Sequence, residues 1–415
     1  MAARKPGRNA LLFIFITVLI NMIGFGIIMP VMPELIMEVT GESRADAARW
    51  GGILTLAYAV MQFFMMPIMG SLSDRFGRRP IILGSLAAYS IDFLLMAVAP
   101  SIGVLLAARV LAGSFSATFS TSNAYIADIS TPEKRAANFG LMGAAFGLGF
   151  IIGPALGGLI GDEFGHRAPF FAVAALGFSN FVYGWFFLPE TLDRENRRKF
   201  EWHRANAFGA FRNFRRYPVI LPVALAMFLY QLAHWTFPSV WAYYSGERFG
   251  WSAKQIGISL MGVGLASIIV QGGLTRLVIP KIGERKAAFF GVGIAVATYL
   301  GYGVANEGWM IYPLIAFGAL AGFTAPALQG IMSRTVPADA QGQLQGAIGS
   351  INGVSMIIGP ILMTQIFSAF SRNGAQLYFP GAPFFLASLL TAFAIIPLFA
   401  AIGRIQRPRQ ASAVA

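Results

Sequence analysis

Gly70-Ser71-Leu72-Ser73-Asp74-Arg75-Phe76-Gly77-Arg78-Arg79-Pro80 joins two apolar runs, 50–70 and 80–99. Each run is close to the roughly 20 residues that cross a bilayer as a helix. The glycines allow a tight turn and close helix approach, Asp74 can pair with a loop arginine or cap a helix, and Pro80 can open the next helix, where its missing N–H costs nothing. The stretch therefore reads as a short basic loop between two membrane-length helices.

The same alternation fills the chain. Of 415 residues, 56% are hydrophobic and 12% charged, against about 45–50% and about 25% in soluble domains, which excludes a soluble enzyme. Apolar runs fall near 10–33, 50–70, 80–99, 102–126, 138–160, 168–188, 218–243, 255–277, 286–304, 309–331, 343–367 and 382–403. Twelve spans use about 240 residues, leaving loops, a linker and tails but no large soluble domain. The runs are too long for barrel strands and lack their alternation, so all twelve are expected to be helices. With no cysteine, neither a disulfide framework nor a thiolate metal site can form. The N-terminal apolar run follows Arg4, Lys5 and Arg8 but lacks a cleavage site, and reads as a retained first span.

Charge placement sets the expected orientation. Of 31 Lys and Arg, six (Arg44, Arg49, Arg167, Arg248, Lys254 and Arg372) lie on one side of this map, 24 lie on the other, and Arg109 lies inside a span. The positive-inside rule then puts both termini and the basic linker in the cytoplasm. The net charge of +13 is scattered over short loops, which suits a membrane and not a nucleic acid. Ile151-Ile152-Gly153-Pro154 recurs as Ile357-Ile358-Gly359-Pro360, and Ala168-Pro169-Phe170-Phe171 as Ala382-Pro383-Phe384-Phe385, 206 and 214 residues later. Two matches in order imply a duplicated all-α membrane fold: a six-helix bundle over 1–189, a cytoplasmic linker over 190–217, and a second bundle with the tail over 218–415. Such halves are related by a pseudo-two-fold axis around a central cavity.

The stretch 70–80 resembles the signature loop of the major facilitator superfamily, with an echo at Gly273–Arg276 and Gly283–Lys286. Gly149-x3-Gly153-Pro154-x2-Gly157-Gly158 resembles that family's antiporter motif, and small residues at this spacing permit close packing while Pro154 permits a kink. Gly149, Gly153, Pro154 and Gly157 are thus a candidate helix pivot. Gly24-x-Gly26-x-x-Met29-Pro30, Phe146–Gly149, Arg248–Trp251, Glu307–Trp309 and Pro326–Gly330 narrow the resemblance to tetracycline-efflux-type drug:proton antiporters. Three positions depart from that pattern: Asn21 stands where it has an acid, Ser267 where it has a histidine, and Ala295 where it has an acid. The resemblance implies a transporter rather than an enzyme, with protons and a small molecule as partners, no cofactor and no metal.

Ionisable residues inside a membrane are functional candidates by default. Of 18 acidic residues only Asp92 lies well inside a span, and Arg109 is the only such base. Each is about seven residues from the outer end of its span, roughly 10 Å deep at 1.5 Å per residue, so antiparallel spans 3 and 4 can bring them together. The resemblance also places an essential acid at Asp92. Asp92, Arg109 and His234 are the candidates for proton coupling. Asp74, Arg75, Arg78 and Asp128 are candidates for a cytoplasmic gate, with Asp74 expected to pair with Arg78 or with the start of span 11. Asn21, Gln231, His234, Trp235 and Gln329 are candidate ligand contacts, offering hydrogen bonds and stacking with little fixed charge. His166 and His203 fall in loops and receive no role. The expected protein is a monomeric, multi-pass inner-membrane exporter of an amphipathic or aromatic compound. A proton-coupled importer shares the same features; a scaffold or receptor leaves the buried Asp and Arg without a use.

Overall fold

The computed structural model describes residues 8–198, 200, 220–337 and 340–401. Arg4 and Lys5, most of the expected linker with His203, and the basic C-tail lie outside the described residues. Eleven of the described helices are long and apolar enough to cross a membrane. Span 1 is Arg8–Thr40, span 2 Arg44–Phe76, span 3 Arg78–Val98, span 5 Pro132–Phe164 and span 6 Ala168–Phe187. Span 9 is Glu284–Val304, span 11 Gln341–Ser371, and span 12 opens with Ala382–Phe393.

The others are interrupted. Span 4 is two helices, Ile102–Ser114 and Thr118–Ile129. Span 8 runs through Ala253–Ser267, a wider π-helical segment Ile268–Leu274, and Thr275–Ile282. Span 10 passes from Ile311–Gly318 through a tight 3-10 segment, Ala319–Phe323, into Thr324–Ser333. The expected seventh span appears as two 14-residue helices, Leu221–His234 and Thr236–Phe249. Pro238 explains that break: it has no N–H to give the His234 carbonyl, and its ring crowds that carbonyl.

Helices also outrun the hydrocarbon. Span 1 continues through Pro30 and Pro33, and span 2 absorbs most of the expected basic loop, leaving Gly77 as the turn. At φ 108° Gly77 adopts a conformation that side chains disfavour, and a Cβ there would lie 2.1 Å from Glu190 Oε2.

The chain divides into two compact units, Met1–Ala207 with Trp251–Met261, and Phe208–Gly250 with Gly262–Ala415. In the first, Phe13, Ile14, Val18, Ile82, Leu86 and Tyr125 form a buried core. Spans 1 and 5 of this unit cross so closely that a Cβ on Gly149, Gly153 or Gly157 would meet span 1 backbone or Met22 Cβ at 2.5–2.9 Å. The start of span 8 belongs here for a similar reason: a Cβ on Gly158 or Gly257 would stand 2.4 Å from Ala253 O or 2.3 Å from Pro154 O. The second unit has its own core of Val223, Met227, Ala287, Leu328, Met332 and Leu344. Phe178, Phe186, Ile269, Ile396 and Phe399 lie exposed, as suits side chains whose solvent is lipid.

Candidate functional site

In the first unit the buried ion pair sits where spans 3 and 4 run together. Asp92 is 1% and Arg109 8% exposed, and Arg109 Nη2 donates to Asp92 Oδ2. The pair is incompletely satisfied, because Asp92 Oδ1 and Arg109 Nε have no hydrogen-bond partner among the described residues. Span 2 supplies neighbours that the sequence reading did not single out. The Arg109 guanidinium lies 5.9 Å from the centroid of the Tyr58 ring. Tyr58 Oη and Ser116 Oγ share a 2.9 Å hydrogen bond, and Gln62 Nε2 donates to the same Ser116 Oγ at 2.8 Å. Ser116 stands in the break of span 4, where irregular backbone at membrane depth is tolerated only if buried or facing a cavity. The signal for Tyr58 and Gln62 was present, since residues four apart share a helix face.

At the other end of spans 3 and 4, Arg78 collects three acceptors: Asp74 Oδ1 at 2.5 Å, Ser73 Oγ at 3.0 Å and Asp128 Oδ2 at 3.1 Å. Asp74, Arg78 and Asp128 are therefore brought together, with Asp74 on the first of its two expected partners. Arg75 is not in this cluster; it is exposed and lies 5.1 Å from the Phe76 ring centroid. Glu190, just past span 6, accepts from the backbone N–H of Arg78 at 2.9 Å and of Arg79 at 3.2 Å, so a carboxylate caps the orphan donors at the start of span 3. Nothing in the local sequence near Arg78 marks Glu190, which arrives from 112 residues away.

The second unit repeats this contact with the charges exchanged. Glu284, opening span 9, pairs with Arg334, just past span 10, at 3.0 Å. Each stands 206 residues after its counterpart, Arg78 or Asp128, the offset of the Ile-Ile-Gly-Pro repeat. At the same offset Asp92 becomes Thr298 and Arg109 becomes Ile315. Both of those residues line a cavity of about 270 Å³ instead of forming an ion pair.

That cavity lies within the second unit. Its walls include Gln231, His234, Ser267, Gln271, Tyr299 and Tyr302. The break after His234 turns the end of the first span 7 helix into it, with His234 stacked on Tyr230 at 6.2 Å. Gln231 is held by Asn352 of span 11, its Nε2 donating to Oδ1 at 2.8 Å. Of the expected ligand contacts, the cavity thus takes Gln231 and His234. Trp235 packs on Gly359, where a Cβ would be 2.6 Å from Trp235 Cβ. Gln329 is half-buried outside the lining, and Asn21, in the first unit, donates back to Thr17 O of its own helix at 3.1 Å. Ser267 and Ala295, two of the departures from the drug:proton pattern, border the cavity, and no carboxylate, lysine or arginine is among its lining residues.

The sequence model of the Major Facilitator Superfamily matches residues 14–360. The chain belongs to that superfamily. Similar proteins include the class C tetracycline resistance protein of Escherichia coli, 38% identical over 92% of this chain and 96% of that one, and the class G protein of Vibrio anguillarum, 34% identical over 87% and 91%. Among solved structures, a bacterial homologue of the human lysosomal transporter Spinster, in an inward-facing and unoccupied conformation, matches at TM-score 0.75 and 17% identity, covering 95% of this chain and 96% of that one. The human organic anion transporter TETRAN matches at 0.68 and 22%, covering 95% and 100%. This superfamily member is a multi-pass, all-α secondary transporter of the membrane and not an enzyme.

Proposed function

We propose that this transporter exports a small amphipathic or aromatic compound, tetracycline-like in size and planarity, in exchange for protons. The observation that carries the proposal is the buried Asp92–Arg109 pair. Antiport needs a group that binds a proton in one state and yields it in another, and a membrane-embedded carboxylate facing an arginine that always keeps its own proton can do so. The relatives named for tetracycline resistance support the direction and the ligand class. The cavity of the second unit would hold the ligand by stacking on Tyr299, Tyr302 and Phe237 and by hydrogen bonds to Gln231, Gln271 and His234. His234 is the second candidate for carrying a proton. Arg78 with Asp74 and Asp128 would hold the cytoplasmic ends of spans 2, 3 and 4 together in one state of the cycle, and the Gly149–Gly157 ladder would let span 5 pivot on span 1. We place residues 1–189 and 218–415 in two halves joined by a cytoplasmic linker over 190–217, with both termini cytoplasmic, in a monomer of a bacterial inner membrane.

An efflux-deficient host expressing this chain is expected to gain resistance to tetracycline or to another planar aromatic antibiotic, and Asp92→Asn to abolish that gain. In inverted vesicles the transported compound should release protons from the wild-type lumen and none with Asp92→Asn, while ligand binding survives. Ligand-driven proton release at wild-type rates by Asp92→Asn would remove Asp92 and pass the role to His234.

A further inference from the structure

Arg109 cannot leave Asp92 for nothing. When Asp92 takes up a proton, a new O–H bond forms on its carboxyl group and the pair loses its negative member, while Arg109 stays charged at membrane depth. A buried cation without partners is costly, so the protonated state needs a second seat for the guanidinium. We propose that Gln62, Tyr58 and Ser116 form that seat: a neutral site on spans 2 and 4 that receives Arg109 when Asp92 is protonated. The proposal rests on the reading of Asp92 as the proton carrier.

Four observations converge on it. Among the described residues, Gln62 Oε1 is a buried acceptor with no donor and Arg109 Nε a buried donor with no acceptor. The guanidinium already overlies the Tyr58 ring, whose face attracts cations. Gln62 is one helical turn from Tyr58 on the same face of span 2, and its amide is oriented by Ser116 so that the nitrogen is used and the oxygen left free. Finally, spans 2 and 4 are pressed together here by Gly113, where a Cβ would lie 2.4 Å from Tyr58 O and 2.8 Å from Met61 Cβ. The fold thus holds an aromatic face beside the arginine and, one helical turn along span 2, an uncharged amide oxygen.

Among the described residues the charged or titratable groups around Asp92 are Arg109 from span 4, Tyr58 from span 2 and Tyr89 from span 3 itself. The Tyr89 hydroxyl donates to Ile20 O of span 1 at 2.8 Å. Span 6, also packed on span 3, brings Phe170 against Phe93 and Gly177 against Tyr89.

The seat makes the protonation of Asp92 depend on uncharged residues of span 2, which infrared difference spectroscopy can read without any ligand. The carboxylic C=O band of Asp92, assigned by its loss in Asp92→Asn made in each background, is titrated in the reconstituted full-length protein. Gln62→Leu removes the alternative acceptor and leaves Arg109 on Asp92, so the midpoint should move to lower pH by about one unit. Ser116→Ala, which releases the Gln62 amide and the Tyr58 hydroxyl but leaves both groups in place, should move it less in the same direction. Gln62→Glu offers a competing carboxylate and should move the midpoint to higher pH. Opposite shifts are not expected of residues that merely pack. Midpoints unchanged in all three variants, or shifts of one sign for Gln62→Leu and Gln62→Glu, overturn the seat while leaving Asp92 as the carrier. A wild-type Asp92 band that does not titrate overturns both.

Discussion

Arg78 and Arg334 show how much the same contact differs with its surroundings. Both bind a carboxylate across the ends of the third and fourth helices of their unit. The Arg78 side chain is 11% exposed and has three acceptors, whereas that of Arg334 is 79% exposed and, among the described residues, has one. A charge-assisted hydrogen bond in a sheltered site contributes about 1.5–3 kcal/mol, while an exposed pair contributes about 0–1 kcal/mol and is screened by salt. Arg78→Ala is therefore expected to lower the thermal unfolding midpoint of the purified protein clearly, and Arg334→Ala to leave it within error at moderate salt. Equal losses would mean that burial does not decide the value of these pairs. At this scale the sequence was informative where a residue type was rare. Asp92 and Arg109 stood out because charge is expensive inside a membrane. Glu190 did not stand out, because a carboxylate after Leu188-Pro189 looks like any other at a membrane surface until its hydrogen bonds to Arg78 and Arg79 are known.

Breaks in the helices carry as much of the site as the helices do. Span 4 breaks at Ser116 beside the ion pair, and span 10 tightens over Ala319–Phe323 along the cavity wall, at the place 206 residues later. Span 7 breaks at His234 because Pro238 cannot serve its carbonyl. Apolar run length located nearly every span, since the hydrocarbon sets that length. It could not register the break at Ser116, which no proline marks, whereas Pro326, with no N–H for the Gly322 carbonyl, marks Ala319–Phe323 as Pro238 marks His234. Pro238 was a legible signal, and with it the reason Trp235 turns away onto Gly359 while His234 stays on the cavity. Pro238→Ala restores the missing donor and should let span 7 straighten, carrying Gln231 and His234 off their positions. The expected result is a rise in KM on the order of tenfold, about 1.4 kcal/mol of binding, with little change in kcat. Unchanged KM would show that the break does not set the cavity's geometry.

Across the whole molecule, the two units differ in what they carry at positions 206 residues apart. The first retains charge at Asp92 and Arg109, and the second has Thr298 and Ile315 there with a cavity between. On the proposed reading, one unit handles the proton and the other the ligand, and coupling requires that the cavity open to each side of the membrane in turn. A ligand that binds both states equally shifts neither, so proton occupancy of the first unit has to bias which side the second unit's cavity meets. Because the chain contains no cysteine, a single thiol can report this without background. Ser267→Cys places one on the cavity wall. In right-side-out and in inverted vesicles alike, a membrane-impermeant maleimide should label it, and the transported compound should protect it from both sides. Adding Asp92→Asn, a stand-in for the permanently protonated carboxyl, should confine labelling largely to one side, a shift of about tenfold in the ratio of the two rates if proton occupancy contributes about 1.4 kcal/mol to the choice of state. Labelling from a single side in the protein with Asp92 intact would rule out alternating access to this cavity, and an unaltered ratio with Asp92→Asn would break the link between the proton and the ligand.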